Sequence, residues 1–430
     1  MLRKLTLAGI IMSVLPLFAQ EPVNPAELGT APLTREDATR SNILSYGLST
    51  TNAFDDNAQG SGGKSNFTSL IQPQFGLAMN RPRLQTNFYY SPGYTFSSTV
   101  ASQSDISQSA GGQLQYLFSR RLSLSLRASF ITTSNPLESV YANSVLPQVG
   151  VLERPSNPFV GARVHQTSEL AGSDLVYRIA QYTSVGVGGS FSDSIYRTAF
   201  GEDKALNQSL RSQSWSAHSY ISHRLSPIYN IGVDYSARNF SSQQSGTSTL
   251  TNTVLGFTTL SLSPHVQLSL FAGPEFSNIH DAGLGISVQR FEGQASSLSF
   301  GSTLYWQGER NGLGISFIQQ VSDFSQTTGG AAQARTVNFT ADRQLTRRIK
   351  LNAFTTYFTS AALGSFPAGL TPDSVIAGVG LSRPVTRSIT ANVSAFHQEF
   401  LSPGLSTFAY PTHNVVSVSL SYNLTRPIGR

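Results

Sequence analysis

The sequence predicts an all-β fold: a transmembrane, antiparallel up-and-down barrel of about 18 strands, with 16 as the alternative count. Three observations carry this expectation. Long stretches alternate apolar with polar residues, the period of a strand with two unlike faces. Tight turns recur at intervals of roughly 40 residues, with longer polar connections between them. Only 12% of the residues are charged, against roughly 25% in an average soluble domain, and uncharged polar residues and Gly fill the gap. A wall that faces lipid on one side and water on the other has that balance.

The clearest unit is the hairpin from Gln113 to Phe130. On one arm Leu114, Tyr116 and Phe118 alternate with Gln113, Gln115 and Leu117. On the other, Leu122, Leu124, Leu126, Ala128 and Phe130 alternate with Ser123, Ser125, Arg127 and Ser129. Ser119-Arg120-Arg121 joins them. In a soluble sandwich the apolar face would meet a second sheet; in a membrane it meets lipid and the polar face lines a lumen.

Taken in order, the chain opens with Arg3 and Lys4, an apolar run from Leu5 to Phe18, and Ala19-Gln20. That layout predicts a signal peptide over residues 1–19. Residues 20–41, with Pro22, Pro25 and Pro32 and no periodicity, read as a flexible periplasmic leader. The barrel is expected over 42–425 and a periplasmic tail over 426–430. Turn signals fall near Arg81, Arg120, Ala180, Pro227, Pro264, Glu309, Arg347 and Val385. The flanking arms centre near Gly47, Gln72, Tyr89, Gln113, Leu126 and Leu170, then Gly188, Ser214, Val233, Leu255, Leu270 and Ser299. The last six centre near Ile315, Asn338, Phe354, Gly378, Val393 and Leu420. Alternation is weaker over 43–55 and 289–306. Arms of about 10 to 14 residues suit tilted membrane strands better than propeller blades.

The short turns are rich in Arg, including Arg120, Arg121, Arg347 and Arg348, whereas the long connections hold many acids, including Asp55, Asp56, Glu202 and Asp203. Short turns facing the periplasm and long loops facing out fit this architecture. The longest connection, roughly Thr133 to Arg163, contains four Pro and is expected to fold over the mouth or into the lumen. Tyr and Trp near arm ends, such as Tyr177, Tyr182, Tyr305 and Trp306, suit a membrane–water boundary, although strands are rich in aromatics generally.

By this pattern the chain resembles a bacterial outer-membrane β-barrel protein, porin-like, over about Asn42 to Leu424. Ala53-Phe54-Asp55-Asp56-Asn57 resembles the Asp-Asp-Asn that follows the first strand in some barrels of polysaccharide-secreting bacteria. Val416 to Tyr422 resembles the final strand that the barrel-assembly machinery reads, although the chain ends on Gly429-Arg430 where many members end on an aromatic. The resemblance implies location in the outer membrane of a Gram-negative cell envelope, with membrane lipid and the assembly machinery as partners.

Chemistry is sparse. The absence of Cys excludes disulfides and thiolate metal sites. The net charge of +6, lower by two once Arg3 and Lys4 leave, is too mild for a nucleic-acid partner. The seven His are scattered, and His218 and His223, five apart on a strand, point to opposite faces. Asp55 and Asp56 offer oxygen ligands of the kind Ca²⁺ takes but read more simply as a solvated loop. Ser61-Gly62-Gly63-Lys64-Ser65 ends like a phosphate-binding loop yet lacks the earlier Gly and the helix. No enzyme, cofactor or metal is expected. The remaining handle is a set of lumen-facing charges: Arg127, Asp234, Arg238, Glu275 and Lys350. They serve either to solvate a lumen or to form a mixed-charge constriction. The expected function is a passive or weakly selective diffusion channel for small solutes. The alternative is a non-conducting barrel that supports exopolysaccharide export or envelope structure.

Overall fold

The computed structural model describes residues 42–56, 65–98, 105–133, 164–198, 209–242, 246–281, 291–323, 331–362, 373–401 and 412–428. They form β1 (Asn42–Asp55), β2 (Asn66–Asn80), β3 (Leu84–Ser97), β4 (Asp105–Leu117), β5 (Leu122–Thr133) and β6 (Val164–Arg178). There follow β7 (Thr183–Thr198), β8 (Ser209–Ser226), β9 (Tyr229–Ser242), β10 (Thr247–Ser263), β11 (Val266–Asp281) and β12 (Phe291–Gln307). The last are β13 (Asn311–Asp323), β14 (Ala331–Gln344), β15 (Lys350–Ala362), β16 (Ser374–Pro384), β17 (Ile389–Phe400) and β18 (His413–Ile428). Every arm centre read from the sequence lies within its own strand; of the weakly patterned stretches, 43–55 falls on β1 and the described part of 289–306 on β12.

The 18 strands form one sheet in which each pairs antiparallel with its neighbours in the chain. The sheet closes on itself because β1 pairs with both β2 and β18, from Asn42↔Ile428 to Asp55↔Val415 on the β18 side. β18 therefore continues through three residues of the expected tail. The leader, most of the 133–163 connection and the Ser61–Lys64 stretch lie outside the described residues.

Five of the short turns share one device. A Ser or Thr at the turn's start accepts the backbone N–H two residues on: Ser119 from Arg121, Ser226 from Ile228, Ser263 from His265, Thr346 from Arg348 and Thr386 from Ser388. Hydroxyls that imitate a backbone acceptor in this way favour turns over continued strand. At one of them an Arg helps as well, since Arg224 donates to the Ser226 and Pro227 carbonyls at 3.2 and 3.0 Å.

Alternation along the strands resolves into two unlike faces. On β18, Val416, Val418, Leu420, Tyr422 and Leu424 are each about half exposed, while Val415 just before them and Ser417 among them are buried. On β9, Val233 and Tyr235 are exposed and Asp234 and Ser236 buried. Apolar outside and polar inside is the reverse of a water-soluble protein.

The inner face is not uniformly polar. Leu255, Phe257 and Phe271 cluster there, with Ile318 against them, and Ala53, Phe396 and Val415 form a second patch packed by Phe354. Bulky rings are accommodated by glycine on the next strand. Phe257 pairs with Gly232, Phe271 with Gly301 and Phe354 with Gly378. A Cβ built at any of these glycines would lie 2.6 Å or less from the ring. The rings thus lie flat over bare backbone instead of projecting across the barrel, an arrangement known to rescue strand glycines.

Candidate functional site

The charged residues singled out in the sequence sit at different places. Arg127 is on β5, Asp234 and Arg238 on β9, and Glu275 on β11. Asp234 is 2% exposed and Glu275 4%, both on the buried face of the sheet. Lys350 is the first residue of β15 and is exposed, far along the wall at the short-turn end. The first four share one stretch of wall, β5 to β11; Lys350 does not join them.

Sequence reasoning missed two members of that stretch, Asp174 on β6 and His218 on β8. His218 Nε2 lies 3.1 Å from Asp174 Oδ1, and the His218 side chain is 1% exposed. The two residues are on strands separated by β7, where Gly188 is registered opposite both. A Cβ at Gly188 would fall 2.3 Å from the Asp174 carboxylate and 2.5 Å from the His218 ring. The absent side chain is what lets them meet. His218 also stacks on Tyr220, centroids 6.3 Å apart and planes at 17°, and Tyr220 is registered opposite Asp234. The legible signal was the glycine-rich run Gly186-Val187-Gly188-Gly189 in a strand, since glycine within a strand marks a close approach. His218 does stand apart from His223, which hydrogen-bonds Thr183 at 2.9 Å near a short turn.

A second feature lies toward the long-connection end. The β12–β13 ladder runs from Gln307↔Gly312 to Phe300↔Gln319 and stops, although both strands continue. Beyond the break, side chains replace the missing backbone bonds. Ser299 Oγ donates to the Gln319 carbonyl (3.2 Å), and Gln319 Nε2 donates to the Leu298 carbonyl (3.0 Å). Arg335 Nε donates to Gln319 Oε1 (2.8 Å). Val321 N–H donates to Glu275 Oε2 at 2.9 Å, and Arg238 Nη1 approaches the Val321 carbonyl at 3.5 Å. Thr253 and Ser297 hydroxyls also reach Glu275. A buried carboxylate must be hydrogen-bonded, and here three donors share that task. Gln320 and Val321 thereby meet the β8–β11 wall. The cavity left between them, lined by Ser216, Arg238 and Glu275 among others, measures about 20 Å³, room for about one water.

Burial follows the same axis. Inner-face residues toward the long-connection end are nearly inaccessible: Ser374 and Val415 at 0%, Thr95 and Gln398 at 1%. Toward the short turns, inner-face Ser49, Gln74, Ser125 and Ser421 keep part of their surface.

On the outer face the long-connection end turns polar. Arg211 forms a two-pronged pair with Asp193, Nη2 to Oδ2 at 2.6 Å and Nε to Oδ1 at 3.0 Å. Asp56 accepts from Asn414 through both its backbone N–H (2.8 Å) and its Nδ2 (2.6 Å), so it pins the start of β18. Among the described residues there is no group of three or more His, Asp or Glu placed to hold a metal ion.

In a closed sheet every strand has a partner on both sides, and an apolar outer belt with a polar inner face is stable only in a bilayer. The class these features define is an 18-stranded antiparallel β-barrel of the bacterial outer membrane, porin-like in architecture. No protein-family model matches the chain, and no curated protein matches it. Among solved structures it is similar to the outer membrane protein opdK from Pseudomonas aeruginosa (9% identity, 89% of this chain and 99% of that one, TM-score 0.42). It is also similar to the ferric-catecholate import receptor Fiu from E. coli K12 (8% identity, 90% and 82%, TM-score 0.45) and to OccAB4 from Acinetobacter baumannii (9% identity, 90% and 98%, TM-score 0.43). The assignment to the class rests on the strand pairing and the outer belt of this chain itself.

Proposed function

We propose that this barrel is a passage for small hydrophilic solutes with weak charge selectivity. The observation that carries the reading is the inner face of an 18-stranded wall. About 18 strands enclose more space than their inward side chains fill, whereas about 8 close on a packed interior. The face is dominated by Ser, Thr, Asn and Gln, and its ionisable groups are mixed in sign: Arg127 and Arg238 stand among Asp174, Asp234 and Glu275. Rings of one sign produce strong selectivity, and mixed signs do not. In planar bilayers the purified protein is expected to conduct, with a reversal potential near zero in a tenfold KCl gradient. Asp234→Asn is expected to move it toward anion preference by only a few millivolts. A strongly cation- or anion-selective channel overturns the reading.

The second reading is a non-conducting barrel supporting exopolysaccharide export or envelope structure. The burial of Ser374, Val415 and Gln398 toward the long connections favours a barrel that is closed at that end. Absence of conductance in every variant described below would favour it.

In either role the short turns face the periplasm. The native chain has no Cys, so single thiols report cleanly. On whole cells an impermeant maleimide is expected to label Leu401→Cys, at the long-connection end, and to miss Ser119→Cys. The reverse pattern inverts the topology.

A further inference from the structure

We propose that the long-connection end of β13 is a gate strand, held shut because Glu275 and Arg238 form a binding site for a peptide group and Val321 fills it. The inference rests on the passage reading and adds to it the part that moves.

The geometry is specific to a peptide group. In an extended strand the N–H and C=O of one residue point to the same side. Those of Val321 point away from β14, toward where β12 would lie. Its N–H meets the Glu275 carboxylate and its C=O the Arg238 guanidinium. An acceptor and a donor thus stand where a partner strand would present its own backbone. An unpaired strand edge within a membrane protein must find such partners. Here they come from β11 and β9, the latter on the far side of β10 and β11 from β12.

An alternative position for the strand end exists and is built from groups already present. Continuing the ladder past Phe300↔Gln319 sets Ser299 opposite Gln320 and Leu298 opposite Val321. Both residues of each pair are in extended conformation now. In the observed state Leu298 is 52% exposed and Val321 5%, so the strand end holds Val321 under cover, away from the surface that Leu298 presents. Rejoining β12 would exchange two side-chain contacts for ladder bonds and withdraw Gln320 and Val321 from the β8–β11 wall. The space now reduced to about 20 Å³ would open to the lumen. Two positions with comparable numbers of hydrogen bonds are what a bistable element requires. The short-turn half of the same seam, fully paired from Phe300 to Gln307, supplies the hinge.

The test uses the full chain in planar bilayers and, in parallel, disulfide formation in detergent. Glu275→Ala removes the carboxylate. Arg238→Ala removes the donor to the Val321 carbonyl and leaves the backbone of β13 able to pair with β12. Each is expected to raise the open-to-closed ratio about tenfold, the factor that corresponds to about 1.4 kcal/mol. The pair Leu298→Cys with Val321→Cys comes within disulfide reach only when the strand end rejoins β12. Its oxidation is expected to hold the channel open, reduction to restore wild-type gating, and Glu275→Ala to speed the crosslink several-fold. A channel that conducts but responds to none of these variants, or a Cys pair that never crosslinks, overturns the gate and leaves the passage reading standing. A crosslink that Glu275→Ala accelerates in a barrel that never conducts supports the moving strand and overturns the passage.

Discussion

Leu420→Arg is expected to cripple assembly of the barrel, whereas Ser421→Arg, one residue on, is expected to be tolerated. Leu420 stands midway along β18 and is 50% exposed on the apolar outer face between Val418 and Tyr422. An Arg facing lipid near the bilayer midplane costs about 2–4 kcal/mol, a large fraction of a membrane barrel's margin. The neighbouring Ser421 turns the other way, donating its hydroxyl to the Thr390 carbonyl at 3.3 Å on a face that retains access to water. A guanidinium there keeps its hydration. The measurement is the fraction of heat-modifiable, protease-resistant barrel in outer-membrane fractions. Equal loss from both substitutions would mean that the two faces do not differ in solvent.

Gly301→Val is expected to destabilise the barrel by about 1–3 kcal/mol, the usual cost of forcing bulk into a filled site. The new side chain has nowhere to go. A Cβ at this position lies 2.6 Å from the Phe271 ring and 2.7 Å from the Phe317 carbonyl. The ring must swing off the wall, leaving its contacts with Leu255 and Phe257. Two readouts separate cause from consequence. Urea unfolding should show a lower midpoint, and any conductance should fall as the displaced ring enters the lumen. Phe271→Ala in the Gly301→Val background should recover part of the stability, because it removes the group that clashes. An additive loss in the double variant would show that the ring is not the obstacle.

Much of this architecture is written in the chain because strand patterning is local. A residue's face is fixed by parity alone, so Val416-Ser417-Val418-Ser419-Leu420 declares both a strand and its two solvents. Turn positions are equally local, since the Ser or Thr that caps a turn and the N–H it captures are two residues apart. Thr346-Arg347-Arg348 and Thr386-Arg387-Ser388 carry that signal, though the adjacent Arg residues draw the eye first. Recurrence of the hairpin unit then gave the strand count. β1 and β12 were harder to read because both faces of each include uncharged polar or small residues, and only pairing with their neighbours makes them strands.

The sequence by itself determined the two-faced strands, the short turns between them and the apolar belt that demands a bilayer. Tertiary structure alone decided which inner-face groups meet. Asp174 and His218 are 44 residues apart in numbering and touch only because β7 places Gly188 between them. Glu275 and Val321 meet across β12 because one ladder stops at Phe300↔Gln319. Parity tells a side chain which face to take, but contact also depends on register between strands and on where the sheet's curvature brings distant walls together. Register is set by many pairings at once, and a break in one ladder is a property of the closed sheet that no single strand encodes.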